Sequence, residues 1–319
     1  MPDDELFEAA RSGSLRDAGE LRAQVQRMLG DDKASALRKG FAAQWLSTRM
    51  LAGHAPDPNA FPYFDEPLRA AMIEETELFF DDFLHNGRPI RDMLVPDFGY
   101  LNDRLARHYR LPEPGSDELV RVELSGDQRR GLISQGAWLT AMSASTRTSP
   151  VIRGRWLLEQ ALCQEMAAPP PDIPAFKEPK EGATIRETLA EHRANPKCAS
   201  CHDLLDPAGL GLEELDGIGA WRETEKGKPV DSSGAIPPGK PFWGAAELAR
   251  TLADDPRFSE CLTSKLYMYA MGRTLEASDK AFLADLGDEL PVAGGSLDRA
   301  IELIVLSPAF RMRNAEEGK

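Results

Sequence analysis

The sequence predicts a mostly α fold in three parts: a helical domain over 1–125, a second domain over 126–225 built around one cysteine-containing turn, and a small helical domain over 240–313. Three observations carry this expectation. Apolar residues recur along most of the chain at the three- and four-residue spacing that places them on one face of a helix. Strand-like alternation is confined to residues 120–124, and one strand does not make a sheet. The run Cys198-Ala199-Ser200-Cys201-His202 follows a helical stretch rather than a strand.

In residues 3–51 the helical period is set by Leu6, Ala9 and Ala10, then Leu21, Val25 and Met28, then Leu37, Phe41, Trp45 and Leu46. Ser14 and Asp31 are placed to cap the second and third helices, Gly30 to end the second, and Trp45 to fill the core. Residues 53–67 hold four prolines and form a loop into a long helix over 68–85, with Glu74, Glu75 and Glu77 expected on its solvated face. Short helices are expected over 88–95 and 100–109, and an apolar helix over 131–142. His54, His85 and His108 lack partners at ligand spacing and are assigned packing or surface roles.

Ser149 as N-cap and Pro150 in the first turn start a helix over 151–163. Pro169-Pro170-Pro171, Pro174 and Pro179 force an extended strap leading to a helix over 184–194. Beyond a loop or hairpin at Asp231-Ser232-Ser233-Gly234, four helices close the chain over 245–252, 256–271, 278–286 and 297–306, the third ended by Gly287.

The run Cys198-Ala199-Ser200-Cys201-His202 has the CxxCH spacing of covalent c-type haem attachment. Two cysteines three apart share one helical face, so both sulfurs can form thioethers along one haem edge, and His202 can reach the iron as proximal ligand. A thioredoxin-like pair would follow a strand, and a structural zinc site would need further ligands at local spacing; neither context is present. The expected cofactor is therefore one covalent haem c per chain.

The flanks of this turn are Glu191-His192-Arg193-Ala194-Asn195-Pro196 before it and Asp206-Pro207-Ala208-Gly209-Leu210-Gly211 after it, the latter expected as a turn and half-helix running on to Trp221-Arg222. With these flanks the chain resembles the bacterial cytochrome c-like multidomain family that carries domains of unknown function 1592, 1588 and 1585 in that order. The first part of the resemblance rests on Met1-Pro2-Asp3-Asp4-Glu5-Leu6, Phe41-Ala42-Ala43-Gln44-Trp45-Leu46 and Leu101-Asn102-Asp103-Arg104-Leu105-Ala106-Arg107-His108-Tyr109. The second rests on Gly131-Leu132-Ile133-Ser134-Gln135-Gly136, on Arg147-Thr148-Ser149-Pro150-Val151-Ile152-Arg153-Gly154-Arg155-Trp156 and on the CxxCH stretch. The third rests on Tyr269-Ala270-Met271-Gly272-Arg273 and Ser307-Pro308-Ala309-Phe310-Arg311. The resemblance implies a cytochrome c-like haem domain between two helical domains, and members of this kind are longer than this chain at the N-terminal side.

A haem iron takes a sixth ligand or keeps an open position. His192 is the first candidate distal ligand, being near the anchor and at a matching position of the family pattern; helix capping or a propionate bond would also account for it. Met268 and Met271 are the candidates from the third part, although methionines at helical spacing also fill cores. For His192 to face His202 across a haem, its helix must fold back at Asn195-Pro196. Arg147, Arg153 and Arg222, with Arg155, have the fork geometry suited to haem propionates, and surface ion pairs account for them equally. Cys163 and Cys261 remain once haem is assigned; in an oxidising compartment they form a disulfide, and otherwise they are two buried thiols.

A net charge of −14 opposes nucleic-acid binding, and no apolar run approaches a membrane span. No signal peptide is visible, yet haem c is attached after export, so the expected setting is the periplasm or cell envelope, with this chain as the C-terminal portion of a larger exported protein. The leading functional expectation is an electron-transfer module whose partner is another redox protein or an upstream redox domain of the same parent chain. A haem-dependent oxidoreductase with an open iron site is the enzymatic alternative, and a module in which haem holds the fold is the third.

Overall fold

The structure, a computed structural model, describes residues 2–126, 128–167, 179–290 and 295–312. The proline strap predicted at Pro169-Pro170-Pro171 and Pro174 falls outside them. The architecture is mostly α, as expected.

The first part opens with α1 (Asp4–Ser12) and α2 (Ala18–Leu29), then α3 (Ser35–Leu37) and α4 (Ala43–Trp45) joined by a π-type turn over Arg38–Ala42. The cap of α2 is Asp17, whose carboxylate accepts from the Glu20 amide at 2.9 Å; Ser14 instead bonds back to the Ala9 carbonyl. Asp31 caps only a short 3-10 turn, Asp32–Ala34, while Gly30 ends α2 as predicted. The long α5 spans Glu66–His85. Its Glu75 is buried, against the expectation of a solvated face, because the polar positions of this helix are covered by the segments that follow.

Tyr100 and Leu101, expected to begin a helix over 100–109, instead belong to β1 (Phe98–Leu101), which pairs antiparallel with β2 (Val120–Glu123). The strand expected to stand alone therefore has a partner. Helix α6 (Asp103–Tyr109) starts only where the Asn102 side chain accepts from the Leu105 amide at 2.8 Å. The helix expected over 88–95 shrinks to a 3-10 turn, Ile90–Met93, and that over 131–142 splits into a 3-10 turn, Leu132–Ser134, and α7 (Gly136–Ala141).

The second part contains α8 (Pro150–Trp156), extended by a π-type turn over Leu157–Ala161, then α9 (Ile185–Arg193) and α10 (Pro196–Leu210). Ser149 sits at the N-cap of α8 without a side-chain capping bond, so Pro150 alone sets that start. Helix α10 runs through Asp206 and Pro207, where a turn was expected. Two short hairpins, β3 (Thr224–Glu225) with β4 (Lys228–Pro229) and β5 (Ser233–Ile236) with β6 (Lys240–Trp243), lead to the third part. That part comprises α11 (Gly244–Ala253), α12 (Pro256–Met271), α13 (Asp279–Glu289), α14 (Leu297–Leu306) and α15 (Pro308–Arg311). Gly287 lies inside α13 rather than ending it.

The main hydrophobic core draws on all three parts: Phe41 and Phe83 from the first, Trp138 and Leu205 from the second, Leu262 and Ile304 from the third. At roughly 1.5–3 kcal/mol for each such side chain taken out of water, the parts stabilise one another. Trp45 is in that core, and its indole N–H donates to the Gln160 carbonyl at 3.0 Å. His85 bonds the Leu29 carbonyl and His108 the Ile218 carbonyl, which are packing roles. No helix among the described residues is long and apolar enough to cross a membrane.

Candidate functional site

The CxxCH turn lies at the start of α10, and what fixes α10 is its contact with α8. A Cβ on Gly154 would fall on the Leu205 carbonyl, and one on Gly209 on the Pro150 carbonyl. Only glycine at both positions lets the two backbones approach this closely. Helix α9 then begins with a capping box, the Thr184 hydroxyl accepting from the Glu187 amide while the Glu187 carboxylate accepts from the Thr184 amide. It buries Ile185 and Leu189 against Leu210 of α10.

Between α9 and α10 the chain reverses at Asn195-Pro196. The Asn195 side chain accepts from the Lys197 amide at 3.0 Å, and Pro196 supplies the first helical residue. The reversal brings His192 against His202, with ring centroids 4.6 Å apart and planes at 68°. Burial pushes the His192 pKa down, the neighbouring His202 adds to this, and Asp206 opposes it.

Cys198 and Cys201 are one turn apart on α10, both half-buried and neither in a disulfide. His202 bonds through Nδ1 to Oδ1 of Asp206 at 2.9 Å. A carboxylate can only accept, so Nδ1 carries a proton, and in the neutral imidazole Nε2 is then the nitrogen with the lone pair. Asp206 is fully buried; its Oδ2 has no hydrogen-bond partner among the described residues and lies 3.5 Å from Nε of Arg193 on α9. The carboxylate thus orients the imidazole and ties α9 to α10, the arrangement that fixes the tautomer of a metal-binding histidine. Only its place four residues after His202 marks Asp206 in the sequence.

This donor set fits a covalently held haem: two thiols on one helical face and an imidazole whose far nitrogen is bonded and whose near nitrogen is free to ligate. Among the described residues no group of three or more His, Cys, Asp or Glu side chains is arranged to hold a bare metal ion. His192 fits less directly. Two metal–imidazole bonds of about 2 Å each put the ligating nitrogens about 4 Å apart and the centroids farther, so a centroid separation of 4.6 Å requires α9 to move outward before both rings could share one iron.

The other predicted site residues lie elsewhere. Arg153 is entirely buried and donates to the carbonyls of Leu212 (3.0 Å), Leu215 (2.8 Å) and Asp216 (2.7 Å) and to Oγ of Ser143 (3.0 Å). It clamps the loop that leaves α10, and its guanidinium does not face the surface. Burial lowers its pKa to about 10, with Glu213 opposing. Arg222 donates to Oε2 of Glu213 at 2.6 Å and to the Glu213 carbonyl at 2.7 Å, while Thr148 donates to the same carboxylate at 2.8 Å. Arg147 donates to the Thr148 carbonyl at 3.0 Å. Met271 is partly buried against the core, and Met268 lines a cavity whose walls include no residue of the CxxCH turn. Cys163 and Cys261 are joined in a disulfide, with Cα atoms 5.3 Å apart, linking the end of the α8 segment to α12.

No curated protein and no solved structure matches the chain. Three family models do match, each described as a protein of unknown function: DUF1592 over residues 1–111, DUF1588 over 129–225 and DUF1585 over 238–310. The CxxCH helix and its support from α8 and α9 fall within the middle match, and the chain belongs to the multidomain family that carries these three domains in this order.

Proposed function

We propose that this chain is a covalent haem c protein that serves as an electron-transfer module of an exported multidomain redox protein. Cys198 and Cys201 form the thioethers, His202 ligates the iron through Nε2, and His192 is the candidate for the sixth position. The observation that carries the reading is the His202–Asp206 bond at 2.9 Å, which leaves the ligating nitrogen of the CxxCH histidine available. Bound haem supplies one-electron exchange at its iron. The protein's own residues hold it: Asp206 keeps His202 in one tautomer, and the Gly154 and Gly209 contact fixes the helix. The Cys163–Cys261 disulfide agrees with folding in an oxidising compartment, where haem c is attached. The partner is a second redox protein or a redox domain of the same parent chain, and the location is periplasmic or in the cell envelope.

The test is expression with export and the c-type maturation machinery, followed by acid-acetone extraction. Colour should stay with the protein, and Cys198→Ala with Cys201→Ala should lose it; a wild type that bleaches refutes the assignment. The closeness of His192 to His202 favours one second reading, an open iron site with enzymatic character, should α9 stay in place when haem binds. Carbon monoxide separates the two. Electron transfer through a six-coordinate iron predicts no binding in the wild type and binding in His192→Ala, whereas an open site binds the gas in both.

A further inference from the structure

A cavity of about 850 Å³ lies where all three parts meet, and nothing in the proposed haem site uses it. Its volume is in the range of small-molecule sites. The inner wall is aromatic. Trp45 and Trp156 lie 5.7 Å apart between centroids, and both indole N–H groups are already committed, to the carbonyls of Gln160 and Trp45 respectively. What these rings offer an occupant is therefore apolar face. At the mouth, Tyr269 stands edge-on to Phe41 at 5.5 Å and is 42% exposed.

The charged lining is asymmetric. Arg155 is paired with Glu159 at 2.9 Å, and Arg273 with Asp279 at 2.6 Å, so those cations are compensated. Lys265, on α12, is half-buried and makes no hydrogen bond or ion pair among the described residues. The surrounding protein takes water from its ammonium, which burial pushes toward a lower pKa against the pull of Glu159. A partly desolvated cation with no bonded partner, beside aromatic faces, is complementary to an anion that carries a ring.

We infer that this cavity binds an aromatic carboxylate, the ring lying against Trp45 and Trp156 and the carboxylate accepting from Nζ of Lys265. The inference stands apart from haem attachment, because the lining includes none of Cys198, Cys201 and His202.

The test is calorimetric titration of the full haem-loaded chain with 2-naphthoate and with its neutral counterpart 2-naphthylmethanol. One 2-naphthoate should bind per chain. Lys265→Met should weaken it about tenfold or more, as loss of a charge-assisted hydrogen bond does, while leaving 2-naphthylmethanol unchanged. Lys265→Arg should restore most of the affinity. Ile152→Trp, which narrows the mouth, should weaken both ligands. The haem-free Cys198→Ala/Cys201→Ala protein should bind 2-naphthoate like the wild type, so failure of the haem assignment and failure of this one are separable. No binding, or binding indifferent to Lys265→Met, overturns the inference. Binding only in the haem-free protein also overturns it, since the cavity would then belong to the haem.

Discussion

Replacing Glu75 by glutamine should change how the stability of this protein depends on pH. The Glu75 carboxyl is 4% exposed and accepts from the Tyr109 hydroxyl at 2.6 Å. That hydroxyl in turn accepts from the Gly136 amide at 2.7 Å. The nearby guanidinium of Arg129 stacks on the Tyr109 ring at 3.6 Å and donates to the carbonyls of Ser134 and Gly219 rather than to Glu75. Burial without a direct cationic partner pushes the Glu75 pKa from 4.5 up to about 7, with the Tyr109 bond and Arg129 opposing. The folded chain therefore keeps its proton to near pH 7 while the unfolded chain releases it near 4.5, so stability falls as pH rises between these values. The difference corresponds to about 3 kcal/mol, fully lost above pH 7. Glutamine keeps an acceptor for Tyr109 and cannot ionise. Measured by urea unfolding, the stability of Glu75→Gln relative to wild type should rise by about 3 kcal/mol between about pH 5 and about pH 8. A difference that stays flat across that interval, or falls, would refute the argument from burial.

Two further outcomes follow from the packing around the CxxCH helix. Gly209→Ala would gain about 1 kcal/mol by helix propensity at an exposed site, but here the new methyl meets the Pro150 carbonyl, so a net loss of about 1–3 kcal/mol is expected; a raised urea midpoint at unchanged slope would show that α8 and α10 are not held in contact. Cys163→Ser with Cys261→Ser opens a crosslink between residues 98 apart and should cost about 4 to 5 kcal/mol by the loop-closure model. Equal unfolding midpoints for the wild type with and without reductant would count against that crosslink in solution.

The residues proposed to hold haem are legible in the sequence because they are local. Cys198, Cys201 and His202 lie within one helical turn, and the capping signals at Thr184 and Asn195 lie within three residues of the helices they start. The same holds for the long helical elements, since the period of apolar residues is a property of neighbours along the chain. Where local signals compete, sequence loses the answer. Tyr100 and Leu101 join a strand because residues 120–123, far along the chain, offer them ladder partners. Glu75 resembles a solvated-face residue until Tyr109, Arg129 and Gly136 close over it.

Tertiary structure alone decides which arginine does what. Arg153 looks like a surface fork for a carboxylate, yet three carbonyls from residues 212–216 converge on it in the interior. It also decides that Asp206 bonds His202 while α9 folds back to set His192 beside it, and that Trp45, Trp156 and Lys265, from three separate parts of the chain, enclose one cavity. Helical period and short motifs are fixed by covalent spacing, so the sequence determines the long helices and the CxxCH turn. Buried partners are chosen by how those elements pack, which is a property of the folded chain.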